Sequence, residues 1–304
     1  MRKAIAILIL SGIVFIASAC GAASGQADEG TESFIEAESP EKEETDAGEI
    51  SAVPEASADR NEVSDSQSAE VPEPEPEAET AKLENLDGLE AGTVLDAAQL
   101  DLTDPARYFT GTAIAEGDPV YERINGRSYR DNPHIGLEEL RYLKMLHYNF
   151  DGQIQVGEMI VNESIQEDVL EIFQALLREE YEIQSMYLID DYWTGDAEDS
   201  DTESVDANNT SAFCYREITG GGNMSNHAYG LAIDLNPQQN PYVSYRTGEP
   251  VWWHENANDY IDRDAGLPHM ITHEDLAYEL FTQHGFEWGG DWDSPKDYQH
   301  FEKN

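Results

Sequence analysis

The stretch Ser225-Asn-His-Ala-Tyr-Gly-Leu-Ala-Ile-Asp234 sets a histidine and an aspartate seven residues apart, with a glycine between them. The tail Asp297-Tyr-Gln-His300-Phe-Glu302 adds a second histidine with a carboxylate three residues before it. Two imidazoles, those of His227 and His300, and one of the carboxylates can make a zinc donor set that leaves one coordination position for water. The spare carboxylate can handle that water's proton. The chemistry expected is hydrolysis at a single zinc ion. These spacings are not one of the short, self-evident metal motifs, so on residue chemistry alone ordinary hydrogen-bonded histidines are the default reading and zinc the alternative. His134, His147, His254, His269, His273 and His284 lack the combination of carboxylate and Gly-rich or strand-like sequence, and are read as satisfied polar residues.

The elements that must hold this set are partly visible. Leu231 to Leu235 alternates as a strand with Ala232 and Asp234 on one side, and Asn236-Pro237 stops it. Gly220-Gly-Gly222 breaks the chain before Ser225. Upstream, Leu137 to Leu146 carries apolar residues near helical spacing, and Val156 to Val161 reads as a strand. Asn162 looks like the N-cap of a helix to about Tyr181, whose Val169, Ile172, Phe173, Leu176 and Leu177 share one face. Ile183 to Ile189 reads as another strand. Residues 190–209 form a long acidic loop whose aspartate spacing does not fit an EF-hand. Thr272-His-Glu-Asp275 starts a helix striped by Leu276, Leu280 and Phe281 and ended by Gly285. Strands and helices mix without regular alternation, which argues for α+β.

The chain begins Met1-Arg2-Lys3, a small and apolar run follows to Ala19, and then comes Cys20. That is the plan of a secretory signal, and the run is shorter than the ~20 residues a spanning helix needs. Ala17-Ser-Ala-Cys20 resembles the bacterial lipobox, so the expectation is a signal over 1–19 and a lipidated Cys20; simple cleavage and release is the alternative. From Gly21 to Thr80 there are 19 Asp and Glu against Lys42 and Arg60. Such a segment cannot bury enough surface to order itself, and 20–85 is read as an extended, disordered linker that spaces a domain from the membrane.

The whole chain has a formal net charge of -46. The part from Lys82 onward still carries about 31 negative charges in excess, which excludes nucleic acid and anionic lipid surfaces as partners. With Cys20 lipidated, Cys214 has no intrachain partner. Its apolar setting reads as a buried small residue, with a Cys-His peptidase as the minor alternative. Residues 86–304, with a core from about 103, suffice for one domain.

Ser-x-His-x-x-Gly-x-Ala-x-Asp followed by Asp-x-x-His-Phe-Glu resembles the zinc D-Ala-D-Ala carboxypeptidase and dipeptidase family, which also holds L-alanyl-D-glutamate endopeptidases. The likeness extends through Gly126-Arg-Ser-Tyr129, Leu140-Arg-Tyr-Leu143, Gly157 to Asn162, Asn208 to Phe213, Asn236-Pro237 and Trp288-Gly-Gly-Asp-Trp292. The resemblance implies a single catalytic domain of the D-Ala-D-Ala peptidase and Hedgehog-like type: a mixed, mainly antiparallel sheet with flanking helices. It implies that His227, Asp234 and His300 bind Zn²⁺ and that Asp297 is general base and then general acid. Arg216 would stabilise the oxyanion, and Ser225 would contact substrate. Many relatives carry Glu where Asp297 stands, the endopeptidase branch tending to Asp. The implied activity is hydrolysis of peptidoglycan stem peptides, as a D-alanyl-D-alanine carboxypeptidase or an L-alanyl-D-glutamate endopeptidase. A wall-binding lipoprotein without catalysis is the third reading. The expected setting is a monomer outside the cytoplasm, anchored to the membrane by lipid and facing the wall.

Overall fold

The computed structural model describes residues 81–218 and 221–304. The signal, Cys20 and nearly all of the acidic linker lie outside the described residues. In chain order the strands are β1 (Val94–Leu95), β2 (Thr110–Ala113), β3 (Leu140–Tyr148), β4 (Ile154–Asn162), β5 (Ala232–Asp234), β6 (Tyr242–Val243), β7 (Glu287–Trp288), β8 (Lys296–Asp297) and β9 (His300–Glu302). The α-helices are α1 (Pro119–Ile124), α2 (Gln166–Arg178), α3 (Ala197–Asp206) and α4 (Leu276–Gln283). The expected α+β class holds, and every ladder between these strands is antiparallel.

The frame is a four-stranded sheet in the order β1-β4-β3-β2. Its spine is the β3–β4 hairpin, paired from Leu140↔Asn162 to Tyr148↔Ile154 and closed by a turn in which Asn149 Oδ1 accepts from the Asp151 and Gln153 amides. The helix expected over Leu137–Leu146 is therefore corrected: only a 3-10 turn at Leu137–Glu139 precedes a nine-residue strand. Leu143, Met145 and Leu146 are all buried, so the strand is covered on both faces and loses the alternation that would have identified it.

Asn162 ends β4 and caps the next turn, its side chain accepting from Ser164 N at 3.0 Å, before α2 runs to Arg178. The apolar face of α2 packs on the sheet and on α4, where Phe173 meets Phe281 edge-on at 6.3 Å. In place of the strand expected over Ile183–Ile189 there is an extended segment with isolated bridges at Glu182 and Ser185, whose Met186 carbonyl accepts from Glu158 N at 3.0 Å before a 3-10 turn starts at Ile189. The loop expected over 190–209 contains α3, capped by Asp196, whose side chain accepts from Glu198 N and Asp199 N.

A smaller sheet, in the order β5-β9-β7, carries the chemistry-bearing motifs, and β6 pairs with β8 beside them. Ile233 of β5 and Phe301 of β9 point into the same core as β3, β4 and α2, with Phe301 stacked on Phe281 at 4.2 Å. Alternation along each short strand sends their neighbours the other way. None of the described helices is long and apolar enough to cross a membrane.

Candidate metal centre

Because Phe301 is locked into the core, His300 and Glu302 must face the opposite side of β9, as Asp234 does in β5. The register pairs Asp234 directly with His300, which brings His300 Nδ1 to 3.0 Å from Asp234 Oδ1. His227 comes from a 3-10 turn, Asn226–Tyr229, that the Ser225 hydroxyl caps by accepting from His227 N at 3.3 Å. Gly230 ends the turn at φ +66, where a Cβ would lie 2.7 Å from Asn162 N, so the turn sits directly on the end of β4. His227 Nε2 then lies 3.2 Å from Asp234 Oδ2 and 3.2 Å from His300 Nδ1. All three side chains are buried.

The outer partners fix how each ring is presented. His227 Nδ1 lies 2.6 Å from the Ala212 carbonyl, which can only accept, so Nδ1 carries the proton and Nε2 offers a lone pair. His300 Nε2 lies 3.0 Å from Glu302 Oε2, which also accepts from Asn226 Nδ2 at 2.6 Å, so His300 points Nδ1 inward. Two imidazole lone pairs and a carboxylate thus converge on one point. Each imidazole has its far N–H fixed by a carbonyl or carboxylate, as metal-ligating histidines do. The donor set fits a zinc ion with an open position. Among the described residues this is the one cluster of three or more His, Cys, Asp or Glu side chains able to share a metal.

Without a cation the charges readjust. Burial works against ionisation of Asp234, yet the two histidines hold its carboxyl well below the usual range. Burial alone would lower His300, but Asp234 and Glu302 push it up to about 10, so a proton then occupies the inward side.

Asp297 is not part of this triad. It is buried in β8, and its Oδ1 has no hydrogen-bond partner. Burial raises its carboxyl to about 7, against the pull of His300 and with the push of Asp234. The turn Gly289–Asp291 presses against it: a Cβ on Gly289 would meet the Asp297 carbonyl oxygen at 2.5 Å and its Cβ at 2.9 Å. Trp292, from the end of that turn, packs on His300 with ring centroids 5.3 Å apart.

Arg216 is brought to the same region. Its guanidinium pairs with Asp201 of α3 at 2.6 Å, both side chains being largely covered, and its Nε is buried without a partner. Burial opposes its charge, while Asp201 and then Asp234 keep it cationic. Its partner lies in the segment read from sequence as a loop, and nothing in the spacing pointed to Asp201. Glu302 and the Ala212 carbonyl are the other supports, neither of them among the site residues expected from sequence. Both follow from strand alternation and from the Ser211↔Asp234 bridge that lays residues 211–212 beside β5.

The other acidic and cysteine candidates resolve into structure. Asp190 accepts from Ser128, Asp191 pairs with Arg123 and Asp196 caps α3, so the acidic stretch offers no shared cation site. Cys214 is fully buried and burial pushes its thiol well up, which removes the Cys-His alternative. His254, His273 and His284 each contact a carboxylate on the surface, and His147 is buried with Nδ1 2.9 Å from Ile183 O.

Similarity to known proteins falls on the same part of the chain. Residues 219–303 match the family model described as D-alanyl-D-alanine carboxypeptidase. Over 81 residues the chain is 37% identical to the peptidoglycan L-alanyl-D-glutamate endopeptidase CwlK of Bacillus subtilis (strain 168). That stretch covers 27% of this chain and 40% of the relative, so the chain spans about two-fifths of the relative it matches. No solved structure matches significantly. The segment that supplies His227, Asp234, Asp297 and His300 is thus the one similar to the family model described as D-alanyl-D-alanine carboxypeptidase.

Proposed function

We propose that the protein is a zinc-dependent peptidase that hydrolyses peptidoglycan stem peptides. The observation that carries this reading is the convergence of His227 Nε2 and His300 Nδ1 at 3.2 Å beside Asp234, with both outer nitrogens already committed. Bound there, zinc would supply Lewis-acid polarisation of the scissile carbonyl and an acidified water. Asp297, buried and with a free carboxylate oxygen, accepts the proton of the attacking water and returns it to the leaving amine. Arg216 offers a fixed positive charge to the oxyanion that forms as the carbonyl becomes tetrahedral. Ser225 both caps the His227 turn and stands two residues from that ligand, where its hydroxyl can meet substrate.

The family model's description favours cleavage of the terminal D-alanyl-D-alanine bond. The printed activity of the Bacillus relative favours the L-alanyl-D-glutamate bond as the second reading, and Asp rather than Glu at position 297 leans the same way. A wall-binding lipoprotein without catalysis is disfavoured because His227, Asp234, His300 and Asp297 are all present. The basic and apolar start and the Ala-Ser-Ala-Cys20 motif support attachment outside the cytoplasm through a lipidated Cys20, with the acidic segment as spacer. Digestion of isolated muropeptides, read by mass spectrometry, tests the activity and identifies the bond. Loss of a single D-alanine marks the first reading, and release of the D-glutamyl peptide from the L-alanine left on the sugar marks the second. Failure of the folded, zinc-loaded protein to cut either would refute the peptidase reading.

A further inference from the structure

The β6–β8 ladder pairs Tyr242 with Asp297, and directly opposed residues share a face of the pleat. Tyr242 is also the first arm of a hairpin. Ser244 and Val251 exchange both backbone hydrogen bonds, at 2.8 and 2.9 Å, around a turn at Gly248. Continuing that register sets Trp253 opposite Tyr242, and their rings lie 5.3 Å apart. Trp253, Tyr242 and Asp297 therefore form one row across three adjacent chain segments. Val243, on the other face, is fully buried, whereas Trp253 is 60% exposed and Val251 40% exposed on the face shared with Asp297. The hairpin is tied to the loop after Trp292 by Tyr245 N donating to Ser294 Oγ at 3.2 Å. Trp253 and Val251 thus leave an exposed apolar strip, on a hairpin held at its base, two strand spacings along the row from Asp297.

The spacing says which partner. Neighbouring strands lie about 4.8 Å apart, so Trp253 stands roughly 10 Å from Asp297 along the row. An extended peptide advances about 3.4 Å per residue, so a dipeptide centred on the cleaved bond falls short of Trp253 while a chain two or three residues longer reaches it. Arg246, exposed near the hairpin tip, adds a positive charge felt at the Tyr242 phenol. In a domain so rich in carboxylates, a cation there favours an acidic chain.

We propose that Tyr242 and Trp253, with Arg246, form a docking ledge for the part of a carboxylate-bearing peptide substrate two to three residues from the cleaved bond. This deepens the peptidase reading and rests on it: the protein acts on extended peptides in preference to free dipeptides.

The test is calorimetric titration of the metal-stripped full chain, which does not turn over, with two probes. These are the pentapeptide L-Ala-γ-D-Glu-L-Lys-D-Ala-D-Ala and the dipeptide D-Ala-D-Ala. Trp253→Ala should weaken pentapeptide binding about tenfold or more and dipeptide binding less than twofold, and Trp253→Phe should recover most of the loss. Arg246→Gln should weaken pentapeptide binding and flatten its salt dependence. Unchanged pentapeptide affinity in Trp253→Ala overturns the ledge, as does an equal loss for both probes. Hydrolysis of the pentapeptide by the zinc-loaded wild type is scored separately. No hydrolysis with Trp253-dependent binding refutes the peptidase reading and leaves a peptide-binding ledge. Hydrolysis with Trp253-independent binding refutes the ledge alone.

Discussion

His227 Nε2 and His300 Nδ1 face each other at 3.2 Å, while their outer nitrogens are held by the Ala212 carbonyl and the Glu302 carboxylate. Two lone pairs at that distance repel unless a cation lies between them and Asp234. In the metal-free protein the cation is a proton on His300, whose pKa is raised to about 10 by Asp234 and Glu302 against the effect of burial. Metal must displace that proton.

Zinc binding at neutral pH should therefore release close to one proton, measured by calorimetry in buffers of different ionisation enthalpy. Below about 10, zinc affinity should fall about tenfold for each unit of decreasing pH. The sign for stability runs the other way. A histidine whose folded pKa is raised adds stability that is complete below its unfolded pKa of about 6.5 and is lost as pH climbs through about 10. Thermal melts should show that alkaline loss in stripped protein and not in zinc-loaded protein.

Glu302 orients His300 and is itself held by Asn226. Removing it in Glu302→Ala leaves the His300 ring free to turn and its Nε2–H without an acceptor. Zinc affinity, measured by competition with a chelator, should drop about 10- to 100-fold with the fold retained. An unchanged affinity would mean that strand pairing alone orients the ring.

Asp297→Asn keeps shape and burial but removes the basic oxygen. Zinc content should stay at one ion per chain while kcat falls about 100- to 10,000-fold. Gly289→Ala should also lower kcat, because its Cβ would press on the Asp297 backbone.

Asp201 lies far from the motifs in sequence, yet it is the carboxylate that holds Arg216, at 2.6 Å. Asp201→Asn should keep zinc and lower kcat by about tenfold, through a loosened Arg216. Arg216→Ala should cost about 100-fold or more if its charge meets the oxyanion. Equal kcat values for wild type and both variants would confine the pair to a structural role.

The parts of this site that could be read from sequence are those built from local repeats of type and spacing. Alternation along Leu231 to Leu235 made the facing of Asp234 visible, whereas the opposite facing of Phe301 and of His300 and Glu302 follows only from the pairing of the tail with that strand. What stayed hidden depended on tertiary cover. In β3 the buried Leu143, Met145 and Leu146 meet cover on both faces, which imitates a helical stripe. In α3 the buried positions are Ala197, Ser200, Ser204 and Val205, a face too small and polar to announce a helix. Asp201 was lost with it, and the partner of Arg216 went unseen. The pairing of Tyr242 with Asp297 joins strands of two residues each, below what any pattern resolves.

The most direct test of the central claim is digestion of purified muropeptides by one preparation in three states: as loaded with one zinc ion, after chelation, and after zinc is returned. The site described here requires cleavage in the first state, loss of at least about 100-fold in the second and recovery in the third, with the product masses naming the bond. Cleavage that persists in full after verified zinc removal, or none by folded zinc-loaded protein, would contradict it.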